Sequence, residues 1–334
     1  MPRSSAKTVT LALACLVFVC LVVHVKVGSA FDLSFADVVR QLFRGDAGGH
    51  DAANNVIWRV RLPRAVACLT VGAILGLVGS AFQALFRNPL AEPYIVGVSS
   101  GAAVGGVAAV LLGFQTAFWG LGMVAAASVT GAASLALVYA LSVRRGVVDV
   151  RTLLLAGVVV GAMLSALTTL LLLAAGKDTN QVLRWLLGST SAAYWPQNAV
   201  LAIVLVLGGW ALARETRRLN AFAIGEETAQ RLGVDTARLK RVILGAGSVM
   251  TAAAVGSVGI IGFLGLVAPH ISRRLLGVDW RYSLLGSGLV GGALLLLADV
   301  LAQQVKAVVD MPVGAVTALL GAPSLILLMR SKDF

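Results

Sequence analysis

Charge is scarce in this chain. Asp, Glu, Lys and Arg supply 13% of its residues, against roughly 25% in a typical soluble domain. That shortage excludes a large solvated surface. Cysteine is nearly absent. Cys15, Cys20 and Cys68 lie in apolar runs without metal-ligand spacing, so no zinc centre or disulfide framework is expected, and the thiols read as small buried hydrophobes. A phosphate-binding loop is missing. Gly176-Lys177-Asp178 lacks both the upstream glycine and the hydroxyl residue after lysine that cradle a nucleotide. No acid–base or metal cluster points to catalysis, and His270, with no acid nearby in sequence, reads as structural. Aromatic residues are only 6% of the chain. No basic patch is interleaved with them, which argues against nucleic acid.

Apolar residues are plentiful. They make up 58% of the 334 residues, and the mean hydropathy is +0.91. A membrane span needs roughly 20 apolar residues, so about eight to ten spans fit, and the chain reads as one all-α polytopic domain over 1–334. The formal charge of +12 sits mostly at the ends of apolar runs, where anionic headgroups and the positive-inside rule explain it. The basic excess at the expected inner ends puts both termini in the cytoplasm.

The apolar runs predict helices near 9–23, 62–86, 95–113, 119–143, 152–175, 197–213, 242–262, 283–304 and 312–329, with a shorter one near 264–274. A Gly28-Ser29-Ala30 stretch resembles a cleavage site, but the run before it is expected to be a retained first helix. Phe35, Val38, Val39 and Leu42 predict a short amphipathic surface helix. Gly72, Gly76, Gly79 and Ser80 form a small-residue face suited to close helix contact. Trp185, Tyr194 and Trp195 fit an interfacial aromatic belt.

The second helix ends in Arg87-Asn88-Pro89-Leu90-Ala91-Glu92-Pro93. Each proline removes a donor and turns the preceding residue away from helix. At membrane depth such a break is tolerated only where protein or a water-filled cavity covers it. This stretch is therefore a surface turn or the lining of a path. Asp299 lies within an apolar run and is either a functional intramembrane acid or a partner to backbone or an arginine. Arg61 and Arg64 are headgroup anchors or docking charges for an acidic partner. The polar segment 214–241 holds seven basic residues, which places it inside. Within it Leu219, Phe222, Ile224, Ala229 and Leu232 recur at helical spacing, with Gly225 and Gly233 punctuating two short helices. That apolar pattern suits a partner surface.

Several motifs together carry a family resemblance. They are Arg61-Leu62-Pro63-Arg64, Gln83 through Pro93, Gly97-Val98-Ser99-Ser100-Gly101-Ala102, Leu153 through Gly157, Ile224 through Gly233, Gly262 through His270, Pro312 through Thr317, and Gly321-Ala322-Pro323. In order along nearly the whole chain, they resemble the FecCD-type permeases, membrane subunits of ABC importers for iron–siderophores, haem and cobalamin. The resemblance implies a type II importer permease with ten helices, working as a homodimer in the cytoplasmic (inner) membrane. It implies two ATP-binding subunits below and one substrate-binding protein above, with ATP and magnesium held by the partner and no cofactor in this chain. By the same resemblance, Leu219, Phe222, Ile224, Gly225, Glu226, Glu227, Ala229, Arg231, Leu232 and Gly233 couple to the ATPase. Asn88, Pro89, Leu90, Val148, Asp149 and Val150 form the inner gate, and the helix after them lines the path. Arg61 and Arg64 match the family's outer docking arginines. The family's Asp-x-x-Ala-Arg motif departs here: Asp299 and Ala302 match, but Gln303 replaces the arginine, and Lys306 is the candidate substitute. Asp310 stands where the family more often has Glu, and Val308 where it often has Pro. The expected cargo is an iron–siderophore, ahead of haem or cobalamin. The competing expectation is an ion-driven secondary transporter, with Asp299 as its ion-binding group.

Overall fold

The computed structural model describes residues 3–28, 33–46, 51–144, 147–305 and 311–330. Among these, seven helices are long and apolar enough to cross a membrane. Shorter helices, Val98–Leu111, Leu264–Leu276 and Val313–Arg330, pack among them. The sole sheet among the described residues is a two-stranded hairpin, with Val143 paired to Val148.

One helix is the hub. Leu62–Phe86 is buried along nearly its whole length, because its glycine face lets the Trp280–Gln304 helix approach to backbone contact. A Cβ at Gly72 would overlap the Gly291 carbonyl, and one at Gly76 the Ser287 carbonyl. Such contact replaces side-chain interdigitation with backbone van der Waals packing. Gly79 meets Gly265 of the Leu264–Leu276 helix in the same way. By contrast, the Val150–Ala174 helix has only 17% of its apolar window buried, against 83% for the hub. Leu155, Val158, Met163, Leu170 and Leu173 face outward.

Pro63 does fall in the first α-helical turn, but the chain above it is already helical, as Ala52–Val56 followed by a π-turn, Ile57–Arg61. Proline cannot donate to the preceding turn, and widening to a π-turn is a common way to absorb such a defect. Asn198 Nδ2 donates to the Pro63 carbonyl at 2.8 Å. The surface helix expected around Phe35 is Phe35–Arg44, opened by a Ser34/Asp37 capping box. It is tied down through Gln41, which donates to Asp51 at 2.9 Å and whose carbonyl accepts from Trp58. Hydrogen bonds from Gln41 and the Asn54 backbone hold the Asp51 carboxyl below its ordinary range. Trp185 departs from the interfacial belt: it is buried, its ring wedged against Gly106.

At the lower end of the hub, Arg87 adopts a left-handed conformation and ends the helix. Asn88 Oδ1 accepts from Leu90 N at 2.9 Å, forming a tight turn with Arg87, Pro89 and Leu90 exposed. The chain then climbs back into the bundle. Tyr94 donates to the Ile261 carbonyl at 2.7 Å, and Glu92 accepts from Phe263 N at 3.1 Å. Ile95 and Val96 lie against Gly157 of the Val150–Ala174 helix. The stretch is a tight turn followed by a segment whose backbone is covered by protein.

Candidate functional site: a buried charge cluster and a two-helix platform

Asp299 is fully buried on the Trp280–Gln304 helix. Arg64 grips it with two bonds, Nε to Oδ2 at 2.8 Å and NH2 to Oδ1 at 2.9 Å. His24 Nε2 lies 2.7 Å from Oδ2, Thr190 Oγ1 donates to Oδ1 at 2.6 Å, and Gln303 Nε2 donates to Oδ2 at 2.9 Å. A carboxylate held by four side chains, one of them a bidentate arginine, is satisfied in both charge and hydrogen bonding. Of the two sequence readings of Asp299, the structure realises the paired one. Gln303, where the family has arginine, supplies one of those donors.

The structure gives Arg61 and Arg64 partners within the subunit. Arg61 is only 5% exposed, and its guanidinium donates to the carbonyls of Val25 and Lys26 at the end of the first helix. Arg64 serves Asp299. Both positive charges are engaged by the subunit's own groups. Lys306, Val308 and Asp310 lie outside the described residues.

Cys68 Sγ, His24 Nε2 and an Asp299 oxygen lie within 4.8 Å of one another, the one group among the described residues that could ligate a metal. A cation there would face the Arg64 guanidinium and compete with donors already in place, so the cluster fits an ion pair better than a metal centre.

The segment expected to couple to a partner lies at the opposite end of the hub. Thr216–Ile224 and Glu226–Arg231 are the two expected short helices. Gly225 between them has φ +153 and Gly233 after them φ +80, both suited to glycine. Their apolar pattern divides in two. Leu219, Phe222 and Ala229 are buried in the subunit's own core, whereas Ile224 is 73% and Leu232 65% exposed. Glu227, Gln230 and Arg231 are exposed around them. Only half of the pattern is therefore free for a partner; the rest anchors the platform. Asn220 locks it to the start of the Trp280–Gln304 helix, donating to Asp279 at 2.8 Å and accepting from Trp280 N at 3.1 Å.

The helix after the platform starts earlier than expected, at Thr236. Asp235 caps it by accepting from Arg238 N at 2.9 Å. Lys240, counted in sequence as one more loop cation, is thereby carried into the helix and buried, 3% exposed. Its Nζ donates to the Val148 carbonyl at 2.9 Å and pairs with Glu226 at 2.6 Å. Val148 is buried in the hairpin, and Asp149 caps the Val150–Ala174 helix by accepting from Arg151 N and Thr152 Oγ1. Sequence reasoning missed Lys240. The signal was Asp235 as a helix cap, which shifts the lysine from loop to core-facing helix.

These features define the class, an all-helical membrane permease with a short two-helix platform on one side. The chain matches the model of the FecCD transport family over residues 15–331, and it belongs to that family. It is 41% identical over 292 residues to the cobalamin import system permease protein BtuC of Halobacterium salinarum, covering 86% of this chain and 76% of that protein. It is 41% identical over 275 residues to the vitamin B12 import system permease protein BtuC of Escherichia coli, covering 82% of this chain and 83% of that protein. Among solved structures, a metal-chelate type ABC transporter in an inward-facing conformation superimposes with a TM-score of 0.84 at 31% identity, covering 98% of this chain and 100% of that one. The fold is that of the type II ABC importer permeases, and the chain is a multi-pass ABC importer permease.

Proposed function

We propose that this permease works as a homodimer in the cytoplasmic membrane, termini inside, with two ATP-binding subunits below and a substrate-binding protein above. ATP and magnesium belong to the lower partner; this chain supplies the path and the coupling surface. The observation that carries the proposal is the platform: Ile224 and Leu232 stand exposed beside Glu227 and Arg231, on helices whose other face is locked into the core. A rigid two-helix knob with a small apolar crown suits a groove in a partner, and nucleotide-driven motion of that partner would bias the bundle between two states. The second copy is proposed to lie along the outward face of the Val150–Ala174 helix, where Leu155, Met163 and Leu170 are exposed.

The cargo is proposed to be a chelated metal. Sequence alone put an iron–siderophore first. The names of the two relatives favour a corrinoid, which becomes the first ligand to assay, with iron–siderophore second. The ion-driven alternative would need a vacancy at Asp299, whose oxygens are already engaged by four side chains.

Ile224→Asp with Glu227→Arg tests the platform. Loss of a buried interface anchor typically exceeds 2 kcal/mol, more than about tenfold in affinity. The expected result is a folded permease that no longer co-purifies with the ATP-binding subunit and no longer supports uptake. Intact assembly and uptake would overturn the proposal.

A further inference from the structure

We propose that Lys240 is the positioning residue that joins the coupling platform to the gate hairpin, so that neither moves without the other. The proposal rests on the reading of the platform given above.

Three separate stretches of chain meet at one ammonium. Glu226 is the first residue of the Glu226–Arg231 helix, one residue past the bend at Gly225. Val148 closes the hairpin opposite Val143. Lys240 lies about one turn into the Thr236–Val258 helix, which packs against the hub. Nζ bonds the Glu226 carboxylate at 2.6 Å and the Val148 carbonyl at 2.9 Å. Lys240 and Val148 are both buried, whereas the Glu226 side chain is 28% exposed.

Burial gives the contact its leverage. An ammonium removed from water needs an opposite charge and hydrogen-bond acceptors. If the platform swings and takes Glu226 away, the buried charge loses its counter-ion. If the hairpin moves alone, the ammonium loses its carbonyl. The low-energy arrangements are those in which platform, lysine and hairpin shift together. Asp149, next to Val148, caps the Val150–Ala174 helix. The contact therefore connects a surface crowned by Ile224 and Leu232 to the first turn of the helix proposed to line the path. A point charge on a flexible stem with three donors can keep both bonds while the elements slide.

The test uses the assembled importer in proteoliposomes, with its binding protein and cyanocobalamin or ferrioxamine as the transported probe. Cargo moved and ATP hydrolysed are measured on the same sample. Lys240→Met should leave assembly with the ATP-binding subunit and ATP hydrolysis in place. Cargo moved per ATP should drop about tenfold, within the usual range for coupling between two sites. Lys240→Arg should restore most of the ratio, since it keeps the charge and the donors. Glu226→Gln, a milder change at the exposed partner, should lower the same ratio, and it serves if Lys240→Met does not fold. An unchanged ratio in both variants, or transport and hydrolysis falling in parallel, would overturn the proposal. Failure of the unmodified chain to retain the ATP-binding subunit would instead overturn the reading of the platform, so the two failures are distinct.

Discussion

At the scale of single residues, buried charge governs this molecule. Asp299 and Arg64 are 235 positions apart in sequence and 2.8 Å apart in space. Breaking a buried pair by removing one partner costs roughly 3–5 kcal/mol, whereas replacing both with apolar groups is often close to neutral. Asp299→Leu should therefore lower the thermal unfolding midpoint of the detergent-purified protein sharply. Arg64→Leu with Asp299→Leu should recover much of the loss. A single variant as stable as the parent would refute the structural role given to Asp299. This pairing was only half legible in the sequence. An intramembrane acid announces itself, but an arginine at a helix end looks the same whether it faces a partner protein or turns inward. Arg61 and Arg64 turn inward because Val25, Lys26 and Asp299 are brought to them by the first helix and by the Trp280–Gln304 helix, neither of them near in sequence. Lys240 was hidden for a related reason: among seven basic residues in one polar stretch, nothing but the cap at Asp235 marks it as different.

At the scale of elements, glycine placement sets which helices touch. The small-residue face of the hub was readable, because Gly72, Gly76 and Gly79 repeat at helical spacing, and the structure places each against a neighbouring backbone. Gly76→Ala should force the hub away from Ser287 and destabilise the fold by about 1–3 kcal/mol, the usual cost of overpacking. Gly245→Ala, where nothing lies within 4 Å of the added carbon, should be neutral or slightly stabilising. Equal effects from the two substitutions, measured as unfolding midpoints in one detergent, would refute this account of the helix contact. The paired short helices of the platform were also readable from Gly225 and Gly233. Which of their apolar residues face the core was not, because an amphipathic stripe has the same period whether it meets the subunit's own bundle or another chain. The π-turn above Pro63 escaped as well, since the sequence shows the missing donor but not how the backbone absorbs it.

At the scale of the whole molecule, the energy source separates the importer from the ion-driven alternative. In vesicles holding the permease with its proposed partners, uptake should stop when ATP is withdrawn and continue when an uncoupler collapses the ion gradient. The reverse pattern would refute the assembly proposed here. The all-helical permease fold was legible because the family motifs recur in order across the chain, and the shortage of charge had already pointed to a membrane protein.

The first helix raises a matter of timing. Its C-terminal end is fastened by His24 to Asp299, 275 residues further along. At ordinary ribosome speeds of about 5–20 residues per second, that interval is roughly a quarter of a minute to a minute. The first helix must therefore wait unlatched while the next 275 residues are being made. The clasp at Asp299 closes only after the spans between the two helices exist.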